Sequence, residues 1–80
     1  MLNMHEFVRR FESALDGVAP GSLTPETDFR GLAEWDSMAA LNVMVIVDAD
    51  YGVELTAEDL RRSRTVADVF QAVAAKTKDE

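Results

Sequence analysis

This 80-residue sequence predicts an all-α fold, a small four-helix bundle with a long loop between helices 1 and 2 and a very short third helix. Three observations predict it. Apolar residues recur at three- and four-residue steps near the N-terminus. The apolar run after residue 37 lacks the alternation of a strand. Two Thr-x-x-Asp capping signals open the last third of the chain. The length allows one domain over residues 1–80 with one small core, which buries only about 60–65% of the unfolded surface.

Met4, Phe7, Val8, Phe11, Leu15 and Val18 make the stripe of an amphipathic first helix over about residues 3–17, stopped by Gly17 and the breaker Ala19-Pro20-Gly21. Residues 22–35 hold no sustained period, and Thr24-Pro25 reads as a turn or a single helical turn with proline at its first position. Loops this long are usually functional or disordered. Phe29, Leu32 and Trp35 are apolar enough to pin this one to the core as an ordered segment.

The second helix is expected over residues 37–50. Met38, Leu41, Val45 and Asp48 form one row, and Ala40, Met44 and Val47 the neighbouring one. The β-branched run from Val43 to Val47 has strand character, but its length and the alanines around it favour a helix. Gly52 is the expected C-terminal stop. Thr56-x-x-Asp59 and Thr65-x-x-Asp68 then start helices over 57–62 and 66–76, the last one turning Val66, Val69, Phe70 and Val73 inward.

A net charge of −7 argues against nucleic acid and anionic membranes as partners and for basic protein partners. The charge is uneven. Nine acidic residues lie between Glu26 and Asp59 against the single Arg30, whereas Arg61, Arg62, Arg64, Lys76 and Lys78 make the C-terminal end basic. With no cysteine the chain has no disulfide, no thiolate metal ligand and no thiol nucleophile of its own. No segment reaches the ~20 apolar residues of a membrane span. The N-terminus has no signal-peptide h-region, and Glu6 and Glu12 do not suit a transit peptide, so a cytoplasmic protein is expected. The opening Met1 and the tail Lys78-Asp79-Glu80 suggest a freestanding protein, expected as a monomer.

The chemistry concentrates at Glu34-Trp35-Asp36-Ser37-Met38-Ala39-Ala40-Leu41. Ser37 stands where the loop gives way to the apolar helix, so its hydroxyl is expected to be exposed at a helix start beside Asp36. This run, followed by Tyr51-Gly52-Val53-Glu54-Leu55, Glu58-Asp59-Leu60 and Thr65-Val66-Ala67-Asp68, resembles the acyl carrier protein family from Phe7 to about Val73. Met38 replaces the usual leucine of the Asp-Ser-Leu core, a volume-conserving change.

The resemblance implies a carrier that holds acyl or aminoacyl thioesters on a 4′-phosphopantetheine arm attached to Ser37. Asp36 would cap the helix and help a phosphopantetheinyl transferase align the serine. An acyl- or aminoacyl-loading ligase, synthase or transferase would then dock around Trp35, Met38, Ala39, Asn42, Asp48 and Asp50. The arm's phosphodiester suits a helix N-terminus, where free N–H groups and the helix dipole favour an anion. Met38 and Met44 also read as core filler, and Trp35 as a ring wedged into the bundle. Arg61, Arg62 and Arg64 read as solvating a short helix and its exit, or facing the arm's phosphate or a partner.

Two departures from the fatty-acid-synthesis pattern point to a specialised pathway of polyketide, nonribosomal peptide or surface-polysaccharide type. Trp35 is aromatic where those carriers more often have a small residue. The early face of the second helix carries Ala39, Ala40 and Asn42 instead of acids, which return only at Asp48 and Asp50.

The rival readings are an unmodified acidic helical adaptor and a weak divalent-cation module. Asp48, Asp50, Thr56 and Asp59 fall at positions one, three, nine and twelve of an EF-hand-like loop. The pattern fails at Gly52 and Val53, where a ligand and the turn glycine are needed. No base, nucleophile and orienter combine into an enzyme site, and no resident metal is expected.

Overall fold

The computed structural model describes residues 3–77. Among them are four helices, α1 (Met4–Ser13), α2 (Ser37–Tyr51), α3 (Ala57–Arg62) and α4 (Val66–Lys76), with a single 3-10 turn at Phe29–Gly31. The charged tail at residues 78–80, on which the freestanding reading drew, lies outside the described residues. α1 packs on both α2 and α4, and α3 packs on α4. The core between them contains Phe7, Phe11, Phe29, Val43, Val47, Val66, Val69 and Val73.

α1 starts on its Asn3 cap, whose side chain accepts the Glu6 N–H at 3.0 Å. It ends at Ser13, short of the expected residue 17. Ala14 and Leu15 turn to i→i−3 bonds with Phe11 and Glu12, which tighten the last turn and drop both side chains into the core. The carboxylate of Glu12, only 5% exposed, accepts the Gly21 N–H on both oxygens at 3.0 Å and the Leu23 N–H at 2.9 Å. Glu12 thus supplies acceptors for two N–H groups of the loop, of which that of Leu23 is buried.

The far end of the loop hangs on α4. Val66 donates its N–H to the Thr27 carbonyl at 3.1 Å and Ala67 to that of Pro25 at 2.8 Å, so loop carbonyls satisfy two of the N–H groups that a helix start leaves open. Phe29, fully buried, closes the loop onto the core. Fixed at both ends and in the middle, the loop is an ordered wall of the bundle.

α2 begins at Ser37, as expected, and ends on Gly52 in the left-handed conformation, φ 66°. Its buried residues are Ala39, Val43 and Val47, one row at four-residue spacing. The row Met38, Leu41 and Val45 faces outward, with Met38 62% exposed. This corrects two expectations: Met38 is not core filler, and Ala39 is inside the core rather than on a docking face. Met44 is partly buried against the core.

α3 and α4 open on Thr56 and Thr65, each in a reciprocal capping box with Asp59 and Asp68. Asp59 does more than cap. Lys76 reaches it at 2.6 Å across from α4 and also donates to the Glu54 carbonyl at 3.0 Å, so the loop before α3, the α3 cap and the end of α4 are joined through one ammonium. The Lys76 bond, followed by the Thr56 N–H, lowers the Asp59 carboxyl from the ordinary 3.8 to about 2. A carboxyl depressed on folding contributes stability that is complete above its unfolded value and fades as pH falls through the folded one. Asp59→Asn is therefore expected to cost about 1–2 kcal/mol at neutral pH. Thermal melts of the two proteins should converge between pH 3.8 and about 2. A constant gap down to pH 2 would mean that the ion pair contributes nothing.

Candidate functional site

The junction of loop and α2 is built from the aromatic side. Trp35 lies parallel to Phe11, with ring centroids 5.9 Å apart and planes 6° apart, and meets Phe29 edge-on at 4.6 Å. One ring from α1 and one from the 3-10 turn thus set the position of the residue just before the helix. Trp35 is half-buried, so it is a wedge first and offers only its remaining edge to a partner.

Asp36 follows in extended conformation as the N-cap, its Oδ1 accepting the Ala39 N–H at 2.8 Å and its carbonyl accepting the Ala40 N–H at 3.0 Å. Ser37 is then the first helical residue, and it is exposed. The N–H groups of Ser37 and Met38 have no acceptor among the described residues. The outcome is a solvent-facing hydroxyl beside two uncommitted backbone donors at the positive end of a 15-residue helix.

Beside Ser37 lies a groove of about 310 Å³ between α2 and α3. Trp35, Ala40, Ala57 and Leu60 give it an apolar lining, and Arg30 and Arg61 stand in its wall with Asp36. Nothing in the residues around Arg30 marks it for this place. It arrives because its guanidinium donates to the Arg61 carbonyl at 2.6 Å and the Ser63 carbonyl at 3.3 Å, across 31 and 33 residues of chain.

The remaining residues expected at the site are dispersed. Asn42 is exposed but donates to the Ala14 carbonyl at 3.2 Å. Asp50 is paired with Arg10 at 2.9 Å, and Asp48 is exposed. With Asp50 held by Arg10 and Asp59 by Lys76, two of the three acids of the EF-hand-like pattern are engaged elsewhere. Among the described residues no cluster of three or more metal-ligating side chains occurs.

Two comparisons bear on this arrangement. The profile of the family described as "Phosphopantetheine attachment site" matches residues 6–73. The chain belongs to that family. The match runs from α1 to α4 and includes the whole Trp35–Ser37 junction. Phosphopantetheine-attachment domains are carriers that bear a 4′-phosphopantetheine group, and they act with partner synthases and transferases once a phosphopantetheinyl transferase has activated them.

Among curated proteins, the chain is 38% identical over 53 residues to the meromycolate extension acyl carrier proteins of Mycobacterium leprae, Mycobacterium tuberculosis (H37Rv) and Mycolicibacterium aurum. The aligned part is 66% of this chain. It is 46% of the first two relatives and 55% of the third, so the chain spans about half the length of the curated relatives it matches.

The residues present suit the family's prosthetic group. A phosphodiester on Ser37 would meet the N–H groups of Ser37 and Met38, and the apolar groove leads away from the same point.

Proposed function

We propose that this protein is a cytoplasmic, monomeric, non-catalytic carrier, with 4′-phosphopantetheine attached to Ser37 and acyl or aminoacyl cargo held as a thioester for partner enzymes of a specialised pathway. The observation that carries the reading is the exposed Ser37 hydroxyl at the first position of α2, opening on the groove and inside the span of the family match. The arm, when attached, supplies the thiol that a chain without cysteine lacks. Asp36 holds the first turn so that the serine keeps a fixed orientation for the transferase. The name of the mycobacterial relatives, which refers to meromycolate extension, supports a pathway other than primary fatty-acid synthesis. The experiment is intact mass after incubation with coenzyme A and a broad-specificity phosphopantetheinyl transferase. One added phosphopantetheine is expected; unchanged mass with several transferases would return the chain to the adaptor reading.

Partner enzymes dock on the outward row of α2. Met38, Leu41 and Val45 present an apolar surface immediately after Ser37, at 62%, 52% and 58% exposure. Asp48 adds charge farther along. Exposed apolar contact and exposed charge differ in salt dependence, since charges act across no more than about 10 Å at 0.1 M salt. Met38→Ala should therefore slow loading by a cognate enzyme several-fold at every ionic strength, matching the ~1 kcal/mol expected of a truncated apolar contact. Asp48→Asn should matter mainly at low salt. Because Met38 lies outside the core, the first variant is expected to melt with the wild type. If Asp48→Asn is the more damaging change at physiological salt, the docking surface is electrostatic.

A further inference from the structure

Four of the six arginines in this acidic chain converge on one side of the bundle. Arg30, Arg61, Arg62 and Arg64 line a hollow of about 380 Å³ between the loop and the exit of α3, against the one carboxylate of Asp28. The two segments that carry them are fixed to each other. Asp28 and Thr65 pair as an antiparallel bridge, Val66 donates its N–H to the Thr27 carbonyl at 3.1 Å, and Arg30 Nη1 donates to the Arg61 and Ser63 carbonyls. The side chains of Arg61 and Arg62 are 65% and 77% exposed and share a single carboxylate, that of Glu58. Arg30 and Arg64 have none within ion-pair distance among the described residues. A rigid face with surplus positive charge thus stands on a chain of net charge −7.

We infer that this face docks an acidic segment of a partner protein, whose carboxylates pair with the four guanidinium groups. That the partner is an enzyme acting on the cargo rests on the carrier reading; the docking itself does not. The charge of the whole chain favours basic partners, but charges act across no more than about 10 Å at 0.1 M salt, so a short segment meets the local arginines. A nucleic acid is long enough to meet the acids between Glu26 and Asp59 as well. A compact phosphate lacks the main-chain donors that cradle one. The Arg30 N–H is taken by Asp28 Oδ1 at 3.1 Å, the Arg64 N–H by Asp68 Oδ2 at 3.0 Å, and the Ser63 N–H by the Leu60 carbonyl at 3.2 Å. What remains for a ligand is guanidinium alone, planar and suited to paired contact with carboxylates, and arginine is the cation enriched where proteins meet. Because Arg30 and Arg61 also border the groove at Ser37, a protein held here has the attachment serine beside it.

The test titrates the unmodified full chain, ¹⁵N-labelled, with hexaglutamate at low ionic strength and follows the amide shifts. Residues 28–30 and 61–65 are expected to move although peptide and protein carry the same sign of charge, and the shifts should shrink at about 0.15 M salt. Hexalysine should leave the amides of Arg30 and Arg64 in place. Combining Arg62→Gln with Arg64→Gln should weaken hexaglutamate binding by about two- to thirtyfold, the range of two exposed ion pairs. Among the described residues the only ion pair this double variant breaks is that of Arg62 with Glu58, so it should melt with the wild type. Arg64→Gln alone, which breaks none, should weaken binding by up to about fivefold and serves if the double variant does not fold.

No shift with hexaglutamate, or unchanged affinity in the variants, would overturn the inference, as would equal shifts at Arg30 and Arg64 from hexalysine. Inorganic pyrophosphate or hexathymidylate that moves the same amides as far, at the same concentration, would give the face to a phosphate ligand or a nucleic acid and overturn it too. The titration uses the unmodified chain, so none of these outcomes bears on Ser37. Failure of the carrier reading would show separately, as unchanged mass after the transferase reaction.

Discussion

Ser37→Ala protein, incubated with coenzyme A and a transferase that modifies the wild type, is expected to keep its starting mass. In the loading reaction proposed for Ser37, the serine Oγ would form a bond to the phosphorus nearest pantetheine. The pyrophosphate P–O bond breaks, adenosine 3′,5′-bisphosphate leaves, and the hydroxyl proton passes to a base of the transferase. Alanine offers no oxygen, so the loss is complete rather than graded. No other serine can replace it. Ser13 donates its hydroxyl to the Arg10 carbonyl and Ser22 to that of Ala19, both at 2.6 Å, and Ser63 is buried with its hydroxyl on the Asp59 carbonyl. The fold should be untouched, because Ser37 is exposed and the cap belongs to Asp36; circular dichroism checks this. Modification of the alanine variant would move the attachment site elsewhere.

The second large effect is on stability. Glu12→Ala removes the acceptor of the Gly21 and Leu23 N–H groups, the latter bond being buried. An unsatisfied buried donor costs about 1–3 kcal/mol, and bonds to a charged acceptor are at the upper end. A total near 3 kcal/mol is expected, a Tm fall of about 12–24 °C at 4–8 °C per kcal/mol for a domain of this size. Glu12→Gln is the sharper comparison. Its amide keeps one acceptor oxygen and turns an NH₂ toward a backbone N–H, so it should recover only part of the loss. If both variants melt within about 2 °C of the wild type, the loop entrance finds its partners in water and Glu12 is dispensable.

That carboxylate also marks where reading the sequence stops working. The starts of α3 and α4 were legible because Thr-x-x-Asp is a local signal, complete within four residues. The stop at Gly52 and the Asp36 cap were legible for the same reason. The end of α1 was not, since Gly17 and Pro20 are good breakers while the earlier termination goes with a buried acid bonding nine and eleven residues ahead. A glutamate on a helix reads as solvated surface in any periodicity count.

α2 failed differently. From Met38 to Val47 it is apolar on nearly every side, so the pattern names a helix but no inward face. In the fold Ala39, Val43 and Val47 face the core while Met38, Leu41 and Val45 face outward. At the site, Asp36 and Ser37 could be placed in advance because they are adjacent in sequence. The approach of Arg30 to Arg61 is a tertiary event and leaves no trace in either segment.

The loop that ends in Trp35 has a consequence for kinetics. It is held by Glu12 at one end, by the Thr27 and Pro25 carbonyls against α4, and at the other end by Phe11 stacked on Trp35 and Phe29 edge-on to it. Any chain tethered at Ser37 therefore swings about a stationary pivot, and its search volume is set by the tether alone. A short flexible tether keeps its free end at an effective concentration in the millimolar range near the pivot, whatever the concentration of the protein. A loop that wandered by several ångströms would dilute this and vary it from one encounter to the next. With the pivot fixed, a docked enzyme meets the tethered end as a first-order event, and the rate of transfer depends on where the enzyme docks relative to Ser37.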